Sequence, residues 1–260
     1  MIDGSIVVVA CLGVVGGFAA GLLGVGGGVL LFPLLLYVPP FLGFETLDAR
    51  TVASLVISQV FFSSLIAGAA HWRSGRVNGR LAVIAAVTAA IGSFVGGVYS
   101  KSVSERFLLL LFGVVTLLAA AMMFLPAPSL DREGSMAKTS AFPVVPVGIL
   151  SFLTGTVVGF LGAGNFVFIP LLIYVLKVPT RVAIGTNLVI ASVSTLSGFL
   201  GKLVTGQIPL LMTLGVVIGA GLGALGGEWR HSWFSPISLR YVYGAVVGIV
   251  GVAVWISILR

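Results

Sequence analysis

Gly24-Val25-Gly26-Gly27-Gly28 interrupts the apolar stretch GFAAGLLGVGGGVLLFPLLLYV (17–38), and Pro33 follows five residues after it. Glycine in a helix interior costs on the order of 1 kcal/mol relative to alanine, so this cluster breaks any helix that reaches it. The residues on both sides are apolar. The break therefore falls inside a hydrophobic segment rather than in a loop.

The rest of the chain explains what surrounds that break. Of 260 residues 58% are hydrophobic and only 8% charged, with a mean hydropathy of +1.21; a soluble domain carries about 25% charged residues. Apolar segments lie at 5–38, 51–71, 80–100, 106–126, 143–176, 182–203, 208–227 and 236–259. A membrane-spanning helix needs about 20 such residues. These runs are continuously apolar, whereas strands of a membrane barrel alternate apolar and polar residues. The fold class is an all-α polytopic membrane protein.

The first residues carry Asp3 and no basic cluster, so they do not read as a cleaved signal peptide. A single cysteine, Cys11, allows no internal disulfide or cysteine metal cluster and reads as a small buried apolar residue. The net charge of +7 is spread over short loops beside apolar spans, so it reads as a topology signal and not as a nucleic-acid surface. Trp72, Trp229, Trp233 and Trp255 read as interfacial anchors.

The second long segment repeats the first: GTVVGFLGAGNFVFIPLLIYV begins at Gly155. Gly17, Gly21, Gly24 and Gly26 align with Gly155, Gly159, Gly162 and Gly164, and Pro33 aligns with Pro170 if one residue is deleted. Arg50–Leu55 (RTVASL) resembles Arg181–Leu188 (RVAIGTNL), Ser74-Gly75-Arg76-Val77 resembles Thr205-Gly206-Gln207-Ile208, and Gly96-Gly97 resembles Gly226-Gly227. The chain divides into an N-terminal membrane repeat (1–126), a polar loop (127–142) and a C-terminal membrane repeat (143–260), each repeat of four apolar segments.

The loop charges choose the relation of the repeats. With eight full crossings, Arg73, Arg76, Arg80, Arg132, Lys138, Lys202 and Arg260 face seven bases on the opposite side, which is no bias. If each long segment leaves by the side it entered, five bases (Arg50, Lys101, Arg106, Lys202, Arg260) face nine. Bases accumulate in cytoplasmic loops. The expectation is inverted repeats, each starting with a broken or re-entrant helix, and both termini outside.

Broken backbone at membrane depth persists only where it is buried in protein or lines a watery cavity. Paired breaks near the midplane are a way transporters hold substrate. After each break the chain re-enters helix, near Val29 and near Phe166, so each turn presents a helix N-terminus, whose free N–H groups suit an anion. The candidate binding residues are Gly24, Gly26, Gly27 and Gly28 in the first turn and Gly162, Gly164 and Asn165 in the second, with Pro33 and Pro170 as hinge or helix-break positions. Asn165 either caps the second half-helix or offers its amide to the ligand. Gly13, Gly17, Gly21, Gly92 and Gly96 fit tight helix packing instead.

Segments 51–71 and 182–203 hold the other polar residues. The first has Ser54, Ser58, Gln59, Ser63 and Ser64; the second has Thr186, Asn187, Ser192, Ser194, Thr195 and Ser197. Ser54, Ser58, Gln59, Thr186 and Asn187 are candidate pocket residues, although a hydroxyl in a membrane helix often bonds back to its own backbone. His71 and Lys202 end these two segments and are candidates for the pore mouth, or for snorkelling to the interface. All seven acids fall in loops or at segment ends, which argues against a cation pump or metal transporter. No metal site, cofactor site or catalytic constellation is expected.

These residues resemble the sulfite exporter TauE/SafE family across nearly the whole chain, in length, in duplication and in the G-x-G-G-G…P pattern near the start of each half. Gly24, Gly26, Gly27, Gly28 and Pro33 match that pattern fully. In the second half Gly162, Gly164 and Pro170 match while Asn165 and Phe166 replace glycines. Ala183 to Asn187 (AIGTN) is also similar to the family. The resemblance implies transport of sulfur-containing anions such as sulfite, thiosulfate or sulfoacetate across a bacterial or archaeal inner membrane. The resulting expectation is a secondary transporter with a small anionic substrate, working by alternating access. Its coupling to protons or sodium and its oligomeric state are open. A passive anion channel shares these features, and an integral membrane enzyme lacks the motifs it would need.

Overall fold

A computed structural model describes residues 2–23, 26–124, 143–231 and 236–259. The inter-repeat loop and Gly24 lie outside the described residues. The described chain runs α1 (Ile2–Leu23), α2 (Gly28–Phe41), α3 (Ala49–Arg73), α4 (Gly79–Tyr99), α5 (Glu105–Phe124), α6 (Val144–Leu161), α7 (Asn165–Pro170, continued as a π-helical turn Leu171–Val175), α8 (Thr180–Val204), α9 (Leu210–His231) and α10 (Pro236–Leu259), with no strand among the described residues. Seven of these helices are long and apolar enough to cross a membrane. The helix breaks fall where glycine demands them, after Leu23 and after Leu161.

Small residues set the closest helix pairs. α1 packs most extensively on α9, and α4 on α6. On α1, Gly13 and Gly17 lie against the backbone of Val216 and Ala220, and Gly223 and Gly227 of α9 lie against Val14 and Phe18. On α4, Gly92 and Gly96 lie against Phe152 and Thr156, while Gly155 and Gly159 of α6 lie against Ala89 and Ser93. A side chain at any of these positions would meet backbone, so this is close small-residue packing of membrane helices. In both pairs residue numbers rise together, so the partners run parallel.

The central pair, α3 and α8, runs the other way. Ile57 meets Gly198, Gly68 meets Leu188 and His71 meets Gly185, so α3 and α8 are antiparallel. They are the most enclosed of the spans, and they carry most of the buried polar residues. The outer faces instead present Val83, Ile91, Ile149, Leu214, Ile218 and Leu222, as lipid-facing helices do, and Cys11 lies exposed on α1 rather than buried.

The first glycine break makes a hairpin. Gly16 of α1 packs on Leu31 of α2, and Gly4, near the start of α1, packs on the Phe44 ring just beyond α2. The chain thus returns along α1 toward the level at which it began. Pro33 does not end α2, which runs on through Pro33, Pro39 and Pro40 to Phe41. At Pro170 the α-helical pattern gives way to the π turn. The proline ring removes a backbone donor and crowds the preceding turn, and only the second half-helix changes form there.

Candidate functional site

The two glycine turns meet. Gly28, the first residue of α2, faces Ala163 of the second turn so closely that a methyl on Gly28 would lie 2.9 Å from the Ala163 Cβ. The described residues of both turns are buried, and both turns rest on α3: Gly26 and Gly28 on Val60, Gly28 also on Val56, and Gly162 on the backbone of Ala53 and Ile57. Gly26, Gly27 and Gly162 have φ of 75°, 73° and 71°, the left-handed region that residues with a Cβ enter only at a cost. Gly164, at φ −174°, is simply extended, but a Cβ there would crowd Val158.

Each turn is followed by a helix N-terminus. Gly27 is the N-cap of α2, and its carbonyl accepts from Leu30 and Leu31 at 3.2 and 3.1 Å. No side chain caps that end, so the first N–H groups of α2 point out of the turn without a side-chain partner. Helix re-entry comes one residue earlier than the sequence suggested, at Gly28 and at Asn165.

Asn165 is not a cap. It is the first residue of α7, the N-cap is Gly164, and no side-chain cap bond forms. Its Oδ1 accepts instead from Ser194 Oγ of α8 at 3.4 Å. The Nδ2 donor is buried with no partner. An amide donor in that condition costs about 1–3 kcal/mol until a ligand or water accepts from it.

Gln59 occupies the matching place beside the first turn. Its Nε2 lies 3.0 Å from the position a Cβ on Gly27 would take, and it donates to Ser63 Oγ at 3.0 Å. Ser63 Oγ in turn lies 3.3 Å from the Gly26 carbonyl and donates to the Gln59 carbonyl at 2.8 Å. Gln59 Oε1 is buried and unpartnered. Each turn thus has one carboxamide and one serine hydroxyl, with one carboxamide atom left open.

Other sequence candidates have structural partners. Ser54 and Ser58 donate to the carbonyls of Arg50 and Ser54, one turn earlier in α3, the backbone-bonding alternative. Thr186 accepts from the backbone N–H of Asn78 at 3.0 Å, joining α8 to the start of α4. Asn187 is fully buried next to it in α8. These two lie toward the end of α3 that carries His71, away from Ser194. The sequence patterns therefore bring Gly26, Gly27, Gly28, Gly162, Gly164, Asn165 and Gln59 together, and leave Thr186 and Asn187 at one end.

His71 and Lys202 are both fully buried. Snorkelling to the interface is thus overturned for them: neither side chain reaches the surface. Lys202 Nζ donates to Ser100 Oγ at 2.8 Å. His71 Nδ1 lies against the position of a Cβ on Gly185 at 3.1 Å. Trp72 and Trp229 are exposed near helix ends, as anchors should be, and Trp233 lies outside the described residues.

The sequence reading missed an aromatic set behind the turns. Phe32 of α2 stacks on Phe112 of α5 at 4.4 Å and 13°, and Phe112 meets Phe166 of α7 edge-on at 6.1 Å. All three are buried. Phe32 is the fifth residue of α2 and Phe166 the second of α7, so the repeat does not pair them and no sequence signal marked the set.

Comparison with known proteins agrees with this architecture. Residues 9–254 match the family model described as Sulfite exporter TauE/SafE. A probable membrane transporter protein of Xylella fastidiosa (strain 9a5c) is 32% identical, covering 97% of this chain and 95% of its own length. Probable membrane transporter proteins of Bacillus subtilis (strain 168), 23% identical over 84% of this chain and 86% of the relative, and of Methanocaldococcus jannaschii, 21% identical over 92% and 91%, are also similar. No solved structure matches the chain.

Proposed function

Because this chain belongs to the sulfite exporter TauE/SafE family of membrane transporters, we propose that it is a secondary transporter for a small sulfur-containing anion such as sulfite, thiosulfate or an organosulfonate like sulfoacetate. The observation that carries the proposal is the meeting of the two turns: Gly28 against Ala163, with the Asn165 Nδ2 donor buried and open beside them. The α2 N-terminus and the Asn165 amide both offer N–H groups, which an anion accepts and a cation does not. The carboxylates whose side chains are described, Glu45, Asp48 and Glu105, are exposed and away from the turns.

The repeats are inverted in this reading. Three directions support it: α1 parallel to α9, α4 parallel to α6, and the repeat-related α3 and α8 antiparallel. Parallel repeats would align α3 with α8. Rocking one repeat against the other around the turns would give alternating access, in a bacterial or archaeal inner membrane with both termini outside.

The test is uptake of radiolabelled thiosulfate into proteoliposomes, with and without an opposing gradient. Accumulation against the gradient supports a coupled transporter, and flux that only dissipates the gradient supports a passive channel. Asn165→Leu lowers uptake by about 10–100-fold if the turns hold the anion. Normal uptake by that variant removes the site assignment.

A further inference from the structure

Lys202 is a basic side chain inside the membrane that no step above uses. It lies in the last turn of α8 and is fully buried. A lysine near a helix end ordinarily runs its four-carbon stem out to water. This one turns inward. Its ammonium donates to Ser100 Oγ at 2.8 Å and stands 3.5 Å from the Phe160 carbonyl. Ser100 is itself tied to the Gly97 carbonyl and to Gln207 Oε1, and Gln207 Nε2 donates to the Gly97 carbonyl and to Thr205. The ammonium therefore sits in a built polar seat. Its partners among the described residues are a hydroxyl and a carbonyl, with no carboxylate.

The position of Phe160 gives that charge a use. Phe160 is the next-to-last residue of α6, immediately ahead of the second turn. A helix leaves its last four carbonyls without helical donors, and that end carries roughly half a unit of negative charge. Each glycine turn joins such a negative end to the positive start of the next helix. An anion at the turn is attracted by one end and repelled by the other. Lys202 is placed at the repelling end.

We propose that Lys202 is a specificity-determining residue of the second turn: its ammonium, seated by Ser100 against the C-terminus of α6 at Phe160, cancels the negative helix end and makes the junction of the turns net positive, so that it selects anions, and divalent over monovalent ones. The inference rests on the turns being the substrate site. Intramembrane charge without a carboxylate partner is costly and marks function, and the charge here is held beside the turn rather than at a lipid face.

The experiment measures binding of thiosulfate, a dianion, and methanesulfonate, a monoanion, to the purified protein in lipid nanodiscs by calorimetry. Lys202→Met is expected to weaken thiosulfate binding about tenfold or more and methanesulfonate binding less, so the preference for the dianion falls. Lys202→Arg is expected to keep it. Equal loss for both anions, or no loss for either, overturns the proposal, because a structural role would not separate the two charges. If Lys202→Met does not fold, Ser100→Ala keeps the charge but removes its seat; an unchanged preference in that variant likewise overturns the proposal. Loss of binding in Asn165→Leu with normal preference in Lys202→Met rejects Lys202 and keeps the turns as the site. Normal binding in Asn165→Leu rejects the turns. A wild-type protein that binds neither anion overturns both.

Discussion

Four positions separate Leu23 from Gly28, of which Gly26 and Gly27 are described; three, Gly162–Gly164, separate Leu161 from Asn165. Pro33 and Pro170 are each the sixth residue of the helix that follows. The residue missing from the second copy therefore belongs to the turn, not to the half-helix. With it goes one left-handed position: Gly26 and Gly27 are both left-handed, against Gly162 alone. That is why the second copy tolerates fewer glycines. Asn165 sits at the helix position occupied by Gly28, where the backbone is helical and a side chain is permitted. In the first copy the Ala163 methyl fills that space. One turn supplies room and backbone, the other supplies a side chain. The carboxamide moves accordingly, from Gln59 on the neighbouring helix to Asn165, the first residue of the helix that leaves the turn.

Substitutions in and around the turns separate the two designs. The largest effect is expected at the left-handed glycines. Gly27→Ala and Gly162→Ala each place a Cβ against backbone, the Gly16 carbonyl in one case and Ala53 with Ile57 in the other. The backbone conformation alone costs about 1–2 kcal/mol. Both variants should lose most of their folded, monodisperse protein in detergent, measured by size exclusion and thermal melting. Gly164→Ala should lose less, since its conformation suits any residue; equal loss at Gly164 and Gly162 would contradict the three-residue turn described here.

Next is Asn165→Leu. It removes the open donor but keeps the volume, so thiosulfate uptake should fall by about 10–100-fold, the scale of one hydrogen bond to a charged group (about 1.5–3 kcal/mol), with a nearly unchanged melting temperature. Gln59→Leu should cost less uptake, because its open atom is an acceptor and its donor is already engaged with Ser63. If Gln59→Leu proves the more damaging, the first turn carries the anion and Asn165 is packing. Smallest are Ser54→Ala and Ser58→Ala, whose hydroxyls only bond back along α3; changes within about 0.5 kcal/mol are expected in stability, and uptake should stay at the wild-type rate.

Sidedness can be checked independently. With Cys11 replaced, single cysteines at Arg76 and at Arg181 should label from the same membrane face, since Gly185 of α8 rests on the Arg76 carbonyl. Labelling from opposite faces would restore eight full crossings and parallel repeats.

Much of this was legible from residue pattern. Membrane helices announce themselves because a span is predominantly apolar over about 20 residues, and a break in one is visible as consecutive glycines. GVGGG and GAGN thus located both turns, and the duplicated frame paired them. The polar residues were harder. Ser54, Ser58, Ser63 and Ser194 look alike in sequence, and all four bond back along their own helix, yet Ser63 and Ser194 also meet carboxamides beside the turns. Facing decides the difference, and α3 and α8 carry polar residues on more than one face. Lys202 misled for a related reason. Its place near a helix end suggests water, but Ser100 and Phe160 come from helices far along the chain, and no local pattern shows that they converge on it. The trio of Phe32, Phe112 and Phe166 was equally hidden, as one of many phenylalanines in an apolar chain.

The parallel pairing of α1 with α9 and of α4 with α6 has a consequence for biogenesis. Neither repeat contains the helix against which its own glycine faces close. During synthesis α1 enters the bilayer with Gly13 and Gly17 facing lipid, and α9, the surface that fits them, is among the last helices to leave the ribosome. The nascent first repeat must wait in the membrane, half assembled, for the second. Chains split at the inter-repeat loop should therefore be degraded when expressed singly and rescued when co-expressed, and accumulation of a stable first repeat by itself would show that assembly is local after all.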